Sequence, residues 1–124
     1  MRALADTKSS FLDLDRLDPI RVLDDLDGPR LFTVRDKHGL ELLAYQCGED
    51  DEVERFLLVP ADARLVEGLE ENRITLRDAL TRQGCAWLVD VHRDARAGAP
   101  VPVDVNNLPD TALPRPGLFL APGR

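Results

Sequence analysis

The segment LFTVRDKHGLELLAYQC, residues 31–47, determines most of the fold that the sequence predicts. Two apolar runs, Leu31 to Val34 and Leu40 to Cys47, flank the polar tetrapeptide Asp36-Lys37-His38-Gly39. A short polar loop that ends in glycine is typical of a type I turn followed by a left-handed residue and a bulge. The segment therefore predicts a β-hairpin of two antiparallel strands.

Further strands are predicted on both sides of this hairpin. Residues 20–26 form a strand that leads into the turn Asp27-Gly28-Pro29, where glycine accepts a positive φ and proline fixes the restart of the chain. Residues 55–60 and 86–92 are the fourth and fifth strands. Because the connections between the first four strands are too short for parallel crossovers, we expect an antiparallel meander.

Two short helices are expected between the fourth and fifth strands. Asp62 can cap a helix that runs to about Asn72. Thr75-Leu76-Arg77-Asp78 resembles a capping box with aspartate in place of glutamate, and it would start a second helix through about Arg82. The predicted fold class is therefore α+β, an antiparallel meander of about five strands with two short helices inserted before the last one.

The two ends of the chain differ from this core of residues 20–93. Residues 1–19 are predicted to be an arm or a short helix, because Phe11, Leu14 and Leu17 have helical spacing. Residues 94–124 contain six of the nine prolines, which exclude long regular elements. This tail is nevertheless too apolar for a solvated linker, so we expect it to pack on the core in extended form within one domain.

The third and fourth predicted strands are apolar on both of their faces, so both faces of the sheet should be covered. The helical segment would cover one face. The N-terminal arm, the proline-rich tail or a partner would cover the other.

Composition narrows the classes of partner. A net charge of −7 and a pI of about 4.7 argue against nucleic acid and against an anionic membrane surface. No apolar run approaches a membrane span, and no secretory signal is recognisable at the N-terminus. Two cysteines are too few for a disulfide scaffold, which predicts reduced thiols in a cytoplasmic protein. The near-exclusive use of arginine over lysine is typical of a bacterial coding bias.

The order of these features resembles an uncharacterised family of small bacterial proteins, a domain of unknown function. The resemblance extends over about Ile20 to Val91, and it implies the meander and its helix cap but no activity, cofactor or catalytic residue. Its pieces are Asp27-Gly28-Pro29-Arg30-Leu31-Phe32, Leu42-Leu43-Ala44-Tyr45, Phe56-Leu57-Leu58-Val59-Pro60, Ile74-Thr75-Leu76-Arg77-Asp78-Ala79-Leu80 and Trp87-Leu88-Val89-Asp90-Val91, with a fainter match in Leu108-Pro109 and Leu113-Pro114.

Asp90 and His92 are the weak candidates for chemistry. They are two residues apart on a predicted strand and so share a face, where a carboxylate could orient an imidazole. Cys85 is near in sequence and could complete the set. This spacing is not a known metal or nucleophile motif, and a strand end that meets water is the ordinary interpretation. His38 is interpreted as a solvated turn residue. No metal site, cofactor or catalytic residue is predicted.

Acidic clusters and the end of the tail are the candidates for partner binding. The acidic loop between strands three and four lacks the spacing of a calcium loop, so it is either a solvated hairpin tip or a docking patch for a basic partner. An apolar tail end could cover a sheet edge or be donated to another chain. The candidates are Asp24, Asp25, Asp27, Glu49, Asp50, Asp51, Glu52, Glu54, Leu118, Phe119 and Leu120.

The leading hypothesis is a non-enzymatic protein–protein interaction module, for example a bacterial antitoxin-like, immunity or defence-accessory subunit. Its partner would be another protein, of basic character, or a second copy of the chain. One alternative is a small enzyme or ligand-binding protein that uses Asp90 and His92, and another is a structural homodimer paired through a sheet edge.

Overall fold

A computed structural model of the chain describes residues 17, 19–24, 31–92 and 96–120. Within these residues the strands form one antiparallel sheet in which each strand pairs with its neighbour in the chain. The sheet is therefore a continuous meander. Its strands are β1 (Arg21–Asp24), β2 (Leu31–Arg35), β3 (Glu41–Glu49), β4 (Val53–Pro60), β5 (Ala86–His92) and β6 (Val101–Val103).

The predicted hairpin between β2 and β3 is confirmed, and Asp36 closes its turn. The buried Asp36 carboxylate accepts hydrogen bonds from the backbone N–H groups of His38 and Leu40, both at 2.9 Å. Gly39 has a φ of +89°, in the region where glycine lacks the steric penalty of other residues. The turn thus fixes the register in which Val34 faces Leu42.

Two helices follow β4 along the chain, and both are shorter than the sequence predicts. Helix α1 (Ala63–Glu70) is capped by the Asp62 carboxylate, and helix α2 (Leu76–Thr81) by the Thr75 hydroxyl. Helix α1 stops before Asn72, which has a positive φ of 59°. The backbone N–H of Arg73 then donates to the carbonyl of Gly68, and this turn redirects the chain toward α2.

Both helices and the proline-rich tail cover the same face of the sheet, which we call the first face. The tail supplies Val105 and Leu113 to this buried core, and its Leu118 and Leu120 pack against the core from the rim. The other contributors to the first-face core are Leu31, Leu43, Tyr45, Leu57, Val59, Ala61, Leu69, Leu76, Ala79, Leu80 and Ala86.

The opposite face, the second face, has its own core. The Phe32 and Phe56 rings meet edge to face with their centroids 5.4 Å apart. Ala44 on β3, between their two strands, is small enough to leave room for this contact. Among the described residues, Leu17, Val91 and Ala97 pack against this core. The remaining members are Val34, Leu42, Leu58, Trp87 and Val89.

The tail differs from the prediction in two respects. Residues 101–103 pair with β5, so the sheet has six strands where about five were expected. The chain then forms two 3₁₀ turns, Val105–Asn107 and Asp110–Ala112, where an extended path was expected. The Asp104 carboxylate accepts from the N–H of Asn106, and this local cap favours the turn over an extended strand.

Helix α2 fastens the tail to the first face. The Arg77 guanidinium donates from Nε to the carbonyl of Pro114 at 2.8 Å and lies 3.3 Å from the Asp110 carboxylate. The backbone N–H of Leu76 donates to the carbonyl of Leu118 at 2.9 Å. These bonds explain how a segment rich in proline, which cannot form a ladder of its own, holds a defined path.

Several predicted features lie outside the described residues. They are the Asp27-Gly28-Pro29 turn, the carboxylates of Asp25 and Asp27, and the N-terminal arm up to residue 16. Leu17 is the one described member of the predicted arm helix, and it contacts the second face.

Thr33 gives a prediction for stability. It lies on β2, is 1% exposed, and its hydroxyl is the one buried side-chain polar atom of the described residues that has no hydrogen-bond partner. An unsatisfied buried hydroxyl costs about 1 kcal/mol or more. We expect Thr33→Val to raise the free energy of unfolding by about 1 kcal/mol in urea denaturation. Thr33→Ser, which keeps the hydroxyl and loses the methyl group, should lower it. A destabilised Thr33→Val variant would contradict this interpretation of the site.

Candidate functional site

The first face carries an ion pair between strands β4 and β5. Arg55 and Asp90 are direct cross-strand partners, so their side chains leave the sheet on the same side. The guanidinium donates to both carboxylate oxygens, with Nε to Oδ1 at 2.7 Å and Nη2 to Oδ2 at 3.3 Å. The hydrogen bond from Arg55 lowers the pKa of Asp90, and the same bond raises the pKa of Arg55.

Cys47 lies next to this pair, at an irregularity in β3. The pairing of β3 with β4 shifts between Gln46 and Gly48, which leaves Cys47 as the extra residue of a bulge. Burial raises the pKa of its thiol, and the nearby Arg55 opposes this effect only in part. The thiol form is therefore favoured at neutral pH, which is the opposite of what a cysteine nucleophile requires.

The structure brings Asp90 and His92 to one face but does not bring Cys85 to them. His92 is exposed at the end of β5, while the Asp90 carboxylate is bonded to Arg55 through both oxygens. Cys85 is also exposed and precedes the start of β5. Cys85 and His92 are seven positions apart along extended chain, a separation of about 23 Å. Cys85 lines a different cavity, with Thr81 and Asp104.

A groove of 330 Å³ opens beside the Arg55–Asp90 pair. It lies between the β3–β4 hairpin and the two 3₁₀ turns of the tail, two parts of the chain that are far apart in sequence. Leu88 on β5 lies between them. The apolar lining of the groove consists of Val53, Leu88, Leu108, Pro109 and Ala112, and its polar lining of Cys47, Gly48, Glu49, Asp50 and Arg55.

The tip of the β3–β4 hairpin carries the acidic loop that the sequence singles out. The Asp50 carboxylate accepts from the N–H groups of Glu52 at 2.8 Å and Val53 at 2.9 Å, and these bonds lower its pKa. Asp50 therefore shapes the turn and stays ionised. Glu49 and Glu54 face each other across the two strands, and Glu54 accepts a bond from Gln46 at 3.3 Å.

The remaining predicted site residues have other surroundings. Leu118 and Leu120 pack against the first-face core within the same chain, and Phe119 between them is half-buried. Asp24 ends β1, and His38 is exposed in the β2–β3 turn. Asp51 and Glu52 are exposed at the tip of the β3–β4 hairpin.

Two classes of site have no counterpart in the described part of the chain. No three histidine, cysteine, aspartate or glutamate side chains in this part are grouped so that they could hold a metal ion. The helices between residues 17 and 120 that the structure describes are all too short or too polar to cross a bilayer.

Sequence reasoning missed the groove residues Cys47, Arg55, Leu88, Leu108 and Ala112. One signal was present for Arg55, because it is a charged residue that shares a face with the apolar Leu57 and Val59. No sequence pattern pairs Leu88 with Leu108, since their contact depends on which face the tail covers.

The Arg55–Asp90 pair gives a pH prediction. A carboxylate with a lowered pKa stabilises the fold fully above its unfolded pKa of about 3.9, and this contribution is lost as the pH falls below that value. Asp90→Asn should therefore destabilise the protein at pH 7 by less than about 1 kcal/mol, since both side chains are partly exposed and solvent screens the pair. Urea denaturation should show this difference at pH 7 and none near pH 2. Glu67→Gln, an exposed change on α1, is the control. A difference that persists near pH 2 would mean that the effect is not electrostatic.

Neither the curated proteins nor the solved structures include a significant match to this chain. A family model does match, and it spans residues 7–124, nearly the whole chain. The chain therefore belongs to the family of unknown function DUF6575.

Proposed function

We propose that this protein is a non-enzymatic interaction module that binds another protein through the groove beside the β3–β4 hairpin. The observation that carries the proposal is the groove itself, 330 Å³ with an apolar lining and an acidic hairpin tip at one end. Half-buried apolar side chains next to charged ones are typical of a protein-binding surface. An antitoxin-like, immunity or defence-accessory subunit in the bacterial cytoplasm would act in this way.

The surroundings of the candidate catalytic groups support binding over catalysis. Asp90 is held by Arg55 through both oxygens, so it does not serve His92 as an orienting carboxylate. The pKa of the Cys47 thiol is raised, which disfavours the thiolate. The two cysteines are free thiols, and this fits the reducing compartment that we propose.

Capture from native cells tests the proposal. Ala112 is half-buried and lines the groove, so Ala112→Trp should fill the groove. Ala63, exposed at the start of α1, offers Ala63→Trp as a matched control. We expect a protein that co-purifies with the wild type and the control, and that is depleted at least tenfold with Ala112→Trp. Equal recovery with all three proteins would refute the groove as the binding surface.

A homodimer paired through β1 is a second candidate, favoured by a separate observation. Ile20 and Val22 are 50% and 53% exposed at this edge of the sheet. An irregularity between Val22 and Asp24 shortens the regular edge available for pairing, which is why we place this candidate second. Light scattering should give a dimer that Val22→Lys converts to a monomer. A monomeric wild type would rule the dimer out.

A further inference from the structure

From the same groove we infer the chemistry of its occupant, an inference that rests on the proposed function. We infer that the groove receives a long basic side chain, lysine or arginine, from the partner protein. The aliphatic stem would lie on Leu88 and Leu108, and the cationic head would lie toward Asp50. Three properties of the groove lead to this assignment.

The first property is the apolar wall. Leu88 and Leu108 are both half-buried, and both pack against the first-face core on their inner side. Their outer sides form the groove together with Ala112. A wall of this kind gains most from an occupant that covers it with methylene groups.

The second property is the balance of charge around that wall. The only cation that lines the groove among the described residues is Arg55, and Asp90 neutralises it through two hydrogen bonds. Asp50 has a lowered pKa, so its carboxylate is ionised across the physiological range. The net local charge is negative, and an anionic occupant would meet repulsion where a cationic one is attracted.

The third property is the field of the whole protein. The hairpin tip adds the exposed Glu52, two residues after Asp50, and the chain as a whole carries a net charge of −7. Such a field steers a basic segment toward this end of the molecule before any contact forms. An aliphatic stem suits the apolar wall, and a cationic head suits the negative charge beside it. Lysine and arginine have both properties, whereas apolar and acidic side chains do not.

Asp50→Asn tests the effect of the Asp50 charge separately from the shape of the groove. Asparagine keeps a side-chain oxygen that can accept from the N–H groups of Glu52 and Val53, so the turn is retained while the charge is removed. Asp62 offers a matched control, because its carboxylate accepts from the N–H of Leu65 and Asp62→Asn makes the same chemical change far from the groove.

The test uses a defined probe, the peptide acetyl-Gly-Leu-Arg-Leu-Gly-amide, and a second peptide in which neutral citrulline replaces the arginine. Titrations are followed by amide chemical shifts in the full ¹⁵N-labelled chain. We expect shifts at Gly48, Asp50 and Leu108, and binding about fivefold weaker for citrulline at low salt. Asp50→Asn should reduce that difference, and Asp62→Asn should leave it unchanged. Equal binding of the two peptides to the wild type, or shifts that map elsewhere, would overturn the inference.

The two proposals fail in different ways. If capture from cells is lost with Ala112→Trp but is unchanged with Asp50→Asn at every salt concentration, the groove binds a protein and the basic side chain is wrong. If Ala112→Trp leaves capture unchanged, the proposed function itself fails.

Discussion

Replacing Phe56 with alanine should destabilise this protein by about 4 kcal/mol, within the range found for buried aromatic residues. Phe56 is 1% exposed in the second-face core, and its ring meets that of Phe32 edge to face. The substitution removes the apolar surface of the ring, leaves a cavity in a packed layer and removes the aromatic contact. Small domains have free energies of unfolding of about 5–15 kcal/mol, so this loss is a large share of the total.

Urea denaturation followed by circular dichroism measures this loss. Phe56→Leu should cost about 1.5 kcal/mol or less, because it keeps most of the buried volume. Val22→Ala, on the same face but half-exposed, is the control for a generic effect of losing an apolar side chain. A loss below about 1 kcal/mol for Phe56→Ala would mean that the second face is not closely packed.

Deletion of residues 108–124 is the second change with a large expected effect. It removes Leu113, which is buried in the first-face core, and Leu108, Leu118 and Leu120, which pack against that core. It also removes the acceptors of Arg77 and of the Leu76 N–H. Burial of each large apolar side chain contributes about 1.5–3 kcal/mol when it is complete. We expect the free energy of unfolding to fall by about 4 kcal/mol or more.

Thermal denaturation of the deletion variant tests this account of the tail. Arg115→Ala, an exposed change in the same segment, should leave the midpoint unchanged. The midpoint of Arg77→Ala in the full chain should lie between those of the deletion variant and Arg115→Ala. The substitution releases the Pro114 carbonyl and Asp110 without removing the leucines. A deletion variant as stable as the wild type would show that the tail is dispensable for the fold.

Local chemistry explains why the hairpin was predictable from the sequence. The turn at residues 36–39 depends on a side-chain oxygen and a glycine that are close in the chain, so the local sequence is enough to predict it. The same is true of the caps at Asp62 and Thr75, although the end of α1 was placed too late. Ile74 accounts for part of the difference, since its Cγ2 lies 3.1 Å from where a Cβ on Gly68 would be. This close packing ties the end of α1 to the chain that turns back over it.

The position of the tail was not predictable in the same way. Its apolar residues show that it must pack somewhere, but the choice of face depends on contacts such as Arg77 to Pro114, 37 residues apart in sequence. The groove was not predictable for the same reason, because one of its walls belongs to the tail and the other to the β3–β4 hairpin. The Arg55–Asp90 pair likewise depends on the register of β4 against β5.

Site-specific crosslinking is the most direct measurement of the central claim that the groove binds another protein. A photoreactive benzoyl-phenylalanine at position 109, exposed at the rim of the groove, would be compared in native cells with the same group at the exposed position 63. The account predicts an adduct with a distinct protein from position 109 only, with the crosslinked peptide containing lysine or arginine near the attachment point. Adducts of equal yield from both positions, or from neither, would contradict it.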